Sequence, residues 1–285
     1  MRRTIILKKN NNPKKYKYIL PGTGLGDRLA NILTVCAYAN INNLEIIFIW
    51  QNSERFNYDI NDVFKFITFP EKYIFLTKEN RDTKLLKELS IRGQDFYHGF
   101  DILPETAHKL ALVNNRLNCT LNEYLTAYKN SVDEIKINFD TDNKDYIAVH
   151  CRRGDKLEAN NKFLPDKLLN EIKKDKINKY MILSDEQIPI ELLNLHNILK
   201  PNYNIMKGNK HNYMLTDMLY LIKSKKIFSI HNDTGWYGGW SSFSFIASKL
   251  GNNNLVSFIH DNTRYDTMKR YIYPLEINNW SIIRF

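Results

Sequence analysis

The densest run of chemistry-bearing residues in this sequence is His150-Cys151-Arg152-Arg153-Gly154-Asp155-Lys156. Guanidiniums beside a histidine bind phosphate oxygens through bidentate hydrogen bonds and stabilise the charge that develops on a departing diphosphate. The plain alternative is a solvated turn, but cations packed this closely repel one another unless an anion sits among them. The run follows the apolar stretch Tyr146 to Val149, which places it at the carboxyl end of a strand, the edge where α/β sheets bind ligands. Ser184-Asp185-Glu186 ends another apolar stretch, and a carboxylate there accepts hydrogen bonds from a purine's ring N–H and amino groups. Ser241-Ser242-Phe243-Ser244 follows Gly238-Gly239-Trp240 and opens a helical pattern. Such a turn offers N–H groups and hydroxyls to a phosphate, although N-capping by itself accounts for one serine.

Three weaker patterns accompany these. Gly22-x-Gly24-x-Gly26 lies at a strand-to-helix turn, where glycines let a ligand approach the backbone. It is no P-loop, since Gly-Lys-Ser/Thr is missing, and its third glycine comes one residue early for the dinucleotide fingerprint. Glu45 begins its strand, whereas a ribose-binding acid belongs at the strand's carboxyl end. Asp140-Thr141-Asp142 has the spacing of a metal-binding DxD pair; a short connection carrying solvated charges is the preferred reading. His231, beside Asn232 and Asp233, is a further site candidate, while His98, His108, His196 and His260 read as ordinary histidines. No Ser-His-Asp order, HExxH or cysteine-nucleophile pattern stands out.

The elements that must position these residues alternate between strand and helix. Lys17 to Leu20 reads as a strand, Leu29, Ile32, Leu33, Cys36 and Ala37 as one face of a helix capped by Asp27, and Glu45 to Trp50 as a second, buried strand. Together they form a βαβ unit, which implies a parallel sheet. Residues 55–140 carry helical patches at Thr83 to Leu89 and Thr106 to Leu112 and an alternating run at Ile135 to Phe139, and read as scaffold. From Tyr146 the pattern restarts: strand Tyr146 to His150, helix Pro165 to Ile172, strand Tyr180 to Leu183, helix Leu215 to Ile222, strand Lys226 to Ile230, helix Ser241 to Leu250 closed by Gly251, and strand Val256 to Ile259. The expectation is an α/β protein of two domains, 1–141 and 142–285, with a ligand cleft between them.

Composition agrees with a folded protein: 285 residues, 43% hydrophobic and 25% charged, with room for two domains at roughly 150 residues each. No apolar run approaches the roughly 18 residues of a membrane span. The start, Met1-Arg2-Arg3 and then only Thr4 to Leu7 before Lys8, lacks the apolar stretch of a signal peptide. Cys36, Cys119 and Cys151 are odd in number and without CxxC spacing, which argues for reduced thiols and a cytoplasmic protein. The net charge of +10 forms no stripe with interleaved aromatics, so an anionic, phosphorylated substrate is preferred over nucleic acid as the partner.

Read in order, Gly24-Leu25-Gly26-Asp27-Arg28-Leu29, His150-Cys151-Arg152-Arg153-Gly154-Asp155, Leu183-Ser184-Asp185-Glu186 and Ser241-Ser242-Phe243-Ser244-Phe245-Ile246-Ala247-Ser248-Lys249-Leu250-Gly251 resemble the fucosyltransferases. They are most similar to the α-1,2-fucosyltransferases, and more loosely to the α-1,6- and protein O-fucosyltransferases, which share H-x-R-R. The sequence departs from the α-1,2 pattern at Asp27 and Arg28, at Lys156 and at Phe245-Ile246, where that pattern has a tryptophan pair; 231–240 reads as an insertion. The resemblance implies a GT-B fold, in which two Rossmann-like domains with parallel sheets face a central cleft, acceptor on the N-terminal side and GDP-sugar on the C-terminal side. It implies an inverting transfer of L-fucose from GDP-fucose to a hydroxyl of a glycan or glycoconjugate, with no metal and no cofactor.

By the same resemblance Arg152 binds the β-phosphate and supports the leaving GDP, His150 and Arg153 shape that site, and Asp185 reads guanine. Ser242 to Ser244, with Phe243 between them and Ser241 in the same run, hold phosphate, while Gly24 and Gly26 leave space beside the donor. The catalytic base is Asp155 or Glu158; arginines next to Asp155 lower its pKa and weaken it as a base. Two alternatives stay open: another GDP-deoxyhexose as donor, or a sugar-nucleotide or glycan binding module without catalysis.

Overall fold

Strands buried on both faces need apolar residues at every position rather than at alternate ones, and this chain builds two parallel sheets from such runs. The computed structural model describes residues 14–20, 24–50, 52, 57–77, 121–141, 145–151, 164–184, 187–203, 210–231, 242–259 and 280–284. The chain divides into two compact units, Met1–Asn138 with Arg270–Leu275, and Phe139–Lys269 with Glu276–Phe285.

In the first unit β1 (Lys14–Leu20), β2 (Leu44–Trp50) and β4 (Ile74–Thr77) form a parallel sheet in the order β1-β2-β4. A short antiparallel pair, β3 (Ile67–Thr68) with β5 (Lys136–Ile137), lies apart from it. Helix α1 (Leu25–Asn42) joins β1 to β2 and is buried almost all round, from Leu25 to Ala39. Its N-cap is Gly24, and Asp27 sits in the first turn rather than at the cap. There its carboxylate still complements the positive end of the helix dipole. The helix also runs through Asn40 to Asn42, expected as loop, because Asn43 takes the left-handed conformation that ends it (φ 50°). The described part of this unit also holds α2 (Ile60–Phe66), capped by Asp59 through the amide of Asn61, and α3 (Leu121–Asp133). Aromatic packing ties the sheet down: Phe48 stacks on Phe75 at 4.9 Å. The expected helical patches at 83–89 and 106–112 lie outside the described residues.

The second unit is a six-stranded sheet of β6 (Tyr146–Cys151), β7 (Lys179–Ser184), β8 (Ile198–Leu199), β9 (Lys226–His231), β10 (Asn254–Ile259) and β11 (Trp280–Arg284). Every pairing is parallel, in the order β11-β10-β9-β6-β7-β8. Counted from β6 as the first strand, this is the doubly wound order 3-2-1-4-5-6, whose direction of winding reverses between β6 and β9. Helices α4 (Asp166–Lys174), α5 (Ile190–Leu193), α6 (Lys210–Lys223) and α7 (Ser242–Gly251) supply the crossovers among the described residues. No helix among the described residues is long and apolar enough to cross a membrane.

Because side chains alternate across a strand, the two faces of this sheet differ. One face carries Ile147, Val149, Cys151, Phe228, Ile230, Val256 and Phe258, packed against Leu168 and Ile172 of α4. On the other, the register sets His150 beside Ser229 and Ser229 beside Ser257, a polar row across β6, β9 and β10. His150 and Cys151, expected just past the strand, are its last two residues. Gly251 differs from expectation too. It is the last helical residue of α7 rather than the residue past it, and Asn252 takes the left-handed conformation (φ 49°). Glycine is needed at 251 for closeness, since a Cβ there would collide with the backbone carbonyl of Ile222 in α6.

Candidate functional site

The winding reversal between β6 and β9 is where a doubly wound sheet opens a crevice at its carboxyl edge. The carboxyl ends of both strands carry polar residues in this chain. His150 closes β6 within a fully buried strand and is itself 8% exposed. Its lateral neighbour Ser229 is 0% exposed, and α7 brings Ser244, 1% exposed, over the same face. Ser229 donates its hydroxyl to Ser244 Oγ at 2.9 Å, and Ser244 Oγ lies 2.5 Å from His150 Nδ1. Phe243 lays its ring against the imidazole, centroids 5.2 Å apart and planes tilted by 32°. Burying these polar groups is tolerable because each meets another; left alone, a buried hydroxyl or imidazole costs about 1–3 kcal/mol.

The first residue of the arginine motif and the last serine of Ser241-Ser242-Phe243-Ser244 are therefore in direct contact, though 94 positions apart in sequence. Ser242 begins α7, and α7 buries Phe245, Ile246 and Ala247 beneath it. That anchoring follows from the apolar residues on the helix's inner side and holds its first turn against β6 and β9. Arg152, Arg153, Asp155, Glu158, Asp185 and Ser241 lie outside the described residues. Ser184 closes β7, immediately before Asp185 in the chain, and pairs laterally with Cys151. His231 ends β9.

Gly24 and Gly26 belong to the first unit, where they start α1. Gly24 accepts the amide of Arg28 at 3.1 Å, and Gly26 is buried in the first turn. Arg28, noted above only as a departure from a family pattern, is the most unusual side chain of this turn. It is 0% exposed, its guanidinium lies 4.6 Å from the Trp50 ring centroid and 5.2 Å from that of Tyr58, and it donates to Asn52 Oδ1 at 3.1 Å. The same Asn52 oxygen accepts from Trp50 Nε1 and from the amide of Tyr58, both at 3.2 Å. Desolvation lowers the arginine's pKa to about 10, only partly opposed by the Tyr58 hydroxyl. Stacking on two electron-rich rings offsets part of that burial.

Asp140, half of the DxD pair, accepts the amide of its neighbour Thr141 at 3.1 Å on an exposed connection; Asp142 lies outside the described residues. Among the described residues no group of three or more His, Cys, Asp or Glu is placed to hold a metal ion. Sequence reading missed Ser229. It stands in the otherwise apolar run Ile227-Phe228-Ser229-Ile230, and a lone hydroxyl at a central-strand position is the one signal that marks it.

No protein-family model matches the sequence, and no curated protein matches it. Solved structures to which the chain is similar include the fucosyltransferase NodZ from Bradyrhizobium, at 12% identity over 83% of this chain and 93% of that one, with a TM-score of 0.47. NodZ is also known as an α-1,6-fucosyltransferase soaked with GDP-fucose. POFUT1 in complex with GDP is similar at 10% identity over 86% of this chain and 96% of that one, TM-score 0.44. The E. coli heptosyltransferase WaaC with ADP is similar at 11% identity over 95% and 90%, TM-score 0.41.

Proposed function

We propose that this chain is an inverting, metal-independent glycosyltransferase of GT-B type that moves L-fucose from GDP-fucose to a hydroxyl of a glycan or glycoconjugate. The observation that carries the reading is the contact of His150 with Ser244 at the winding reversal of a doubly wound sheet. Two motifs that resemble those of fucosyltransferases, read independently from the sequence, meet where such a sheet binds its ligand. The C-terminal domain holds the GDP-sugar and the N-terminal domain receives the acceptor, on this reading.

In the proposed reaction the acceptor hydroxyl attacks C1 of fucose as the bond from C1 to the β-phosphate oxygen breaks on the opposite face. The electron pair leaves on GDP, and the hydroxyl proton passes to Asp155 or Glu158. Arg152 supports the negative charge on the departing diphosphate, with His150 and Arg153 beside it. Asp185 accepts from the guanine N–H and amino groups, and the run Ser241, Ser242, Phe243 and Ser244 closes on phosphate. Gly24 and Gly26 leave room next to the donor. An α-1,2 linkage rests on the motif resemblance by itself, and product analysis by linkage is its test.

The experiment is calorimetric titration with GDP, UDP and ADP, with and without EDTA, on wild type and Arg152→Ala, followed by a GDP-fucose hydrolysis assay. GDP is expected to bind selectively and EDTA to change nothing. Arg152→Ala is expected to lose affinity by roughly tenfold to a hundredfold, the worth of a charged hydrogen bond to phosphate. Preference for UDP, or loss of binding on chelation, overturns the reading and moves attention to Asp140 and Asp142. Binding without turnover identifies a sugar-nucleotide binding module, and turnover of a different GDP-deoxyhexose in preference to GDP-fucose changes the sugar.

A further inference from the structure

We infer that Ser229 is a positioning residue that acts through Ser244 to fix the tautomer of His150. A hydroxyl has one proton to give, so the direction of each bond in the chain sets the next. Ser229 spends its proton on Ser244 Oγ. Ser244 then holds its own proton free for the remaining contact, the one 2.5 Å away at His150 Nδ1. Nδ1 is the acceptor in that bond, and a neutral imidazole whose Nδ1 accepts carries its proton on Nε2. His150 is thereby presented to the carboxyl edge as an Nε2–H donor of fixed identity.

Geometry supports a built relay rather than an incidental contact. The parallel register puts Ser229 directly beside His150 on the same face, α7 lowers Ser244 onto both, and Phe243 restrains the plane of the ring. All three relay members are buried, Ser229 completely. A fold that needed only to fill this space would do so more favourably with Ala or Val at 229, since apolar groups of similar shape carry no desolvation cost. The inference about the tautomer stands on the protein alone. Only its consequence, that an Nε2–H donor suits a phosphate oxygen, rests on the proposed function.

The test is nitrogen-15 NMR of ring-labelled histidine in the ligand-free protein at neutral pH, for wild type, Ser229→Ala, Ser229→Thr and Ser244→Ala, together with GDP titrations of the same samples. Wild type is expected to show His150 protonated at Nε2 and unprotonated at Nδ1. Ser229→Ala is expected to give a mixture of the two tautomers and GDP affinity lowered about threefold to tenfold, the scale of one net hydrogen bond; Ser229→Thr, which restores the hydroxyl, is expected to return both. A wild-type ring protonated at Nδ1, or an unchanged tautomer in Ser229→Ala, overturns the inference. Should Ser229→Ala fail to fold, the wild-type spectrum and Ser244→Ala decide in its place. If no variant and no wild type binds GDP while the tautomer responds as expected, the proposed function fails and the relay survives.

Discussion

The two edges of the six-stranded sheet use buried polar side chains in opposite ways. At the amino edge, side chains bond mostly to backbone. Asn253 donates to the carbonyls of Leu221 and Ser224, both at 2.9 Å, and Asn197 to those of Ile172 at 2.7 Å and Asp175 at 2.9 Å. Tyr146 donates its hydroxyl to the Tyr220 carbonyl at 2.6 Å. Helix ends leave carbonyls without partners, and these side chains satisfy them. At the carboxyl edge, His150, Ser229 and Ser244 bond to one another instead. A side chain that completes the backbone is needed for folding and is not available to anything else. Side chains that complete each other set up a local arrangement whose value lies in what it presents. The difference teaches that polarity within one core divides by partner: backbone-directed groups mark structure, and mutually directed groups mark a site.

This division is broken or sharpened by substitutions at each edge. The largest effect is expected from Gly251→Ala, because the new Cβ would strike the Ile222 carbonyl and lie 2.8 Å from Asn253 Nδ2. Helix α7 then has to move from α6, with a loss of about 3 kcal/mol in urea denaturation. The protein that remains folded should bind GDP within about twofold of wild type, well under the tenfold of 1.4 kcal/mol. Asn253→Ala comes next, at about 2 kcal/mol, since it strips the carbonyls of Leu221 and Ser224 of a buried donor. It too should spare nucleotide affinity. Ser244→Ala reverses the pattern: stability is expected to fall by about 1 kcal/mol while GDP affinity drops about tenfold. Equal losses of affinity at both edges, measured by calorimetry beside denaturation, would erase the distinction.

Much of the second unit was legible in its sequence because its central strands are apolar throughout. Tyr146 to Cys151 and Tyr180 to Leu183 have no competing helical reading at that length, and α7 declares itself by Ser242 at its start and its apolar inner side. The same logic explains what was missed. β8 has only Ile198 and Leu199, too short to show a period, and β11 lies in a stretch without turn signals around it. Ser229 was hidden since its meaning comes from lateral register with His150, a pairing between strands 79 positions apart that spacing within one strand does not reveal. Arg28 was read as a substitution in a motif, whereas its burial depends on Trp50, Asn52 and Tyr58 from beyond the next strand. Gly251 was recognised as a helix-end residue, but for its conformation rather than for the closeness of Ile222. What the sequence displayed was periodicity and motif order; what it concealed was every relation made across elements.

The smallest expected effect tests whether the amino edge is structural even where a charge is involved. Asp175 ends α4 and accepts the amides of Ile177 at 2.8 Å and Asn178 at 2.9 Å, with the Asn178 side chain and the Tyr180 hydroxyl each at 2.7 Å. These donors hold its carboxyl well below the usual carboxylate range, the Asn178 amide contributing most. Because the folded pKa is depressed, the stabilisation is present in full above the unfolded value of about 4 and is lost as pH falls below it toward the folded value. Asp175→Asn should therefore unfold at a lower temperature than wild type at pH 7, by less than Ser244→Ala does. The gap should narrow as pH drops below about 4, where wild type loses the charge that the variant never had. GDP affinity at pH 7 should be unchanged. A gap that persists undiminished at pH 2–3 would mean that the turn depends on the shape of the side chain rather than on its charge. A fall in affinity would mean that the carboxylate at the amino edge reaches the site after all, and the partition between the two edges would no longer hold.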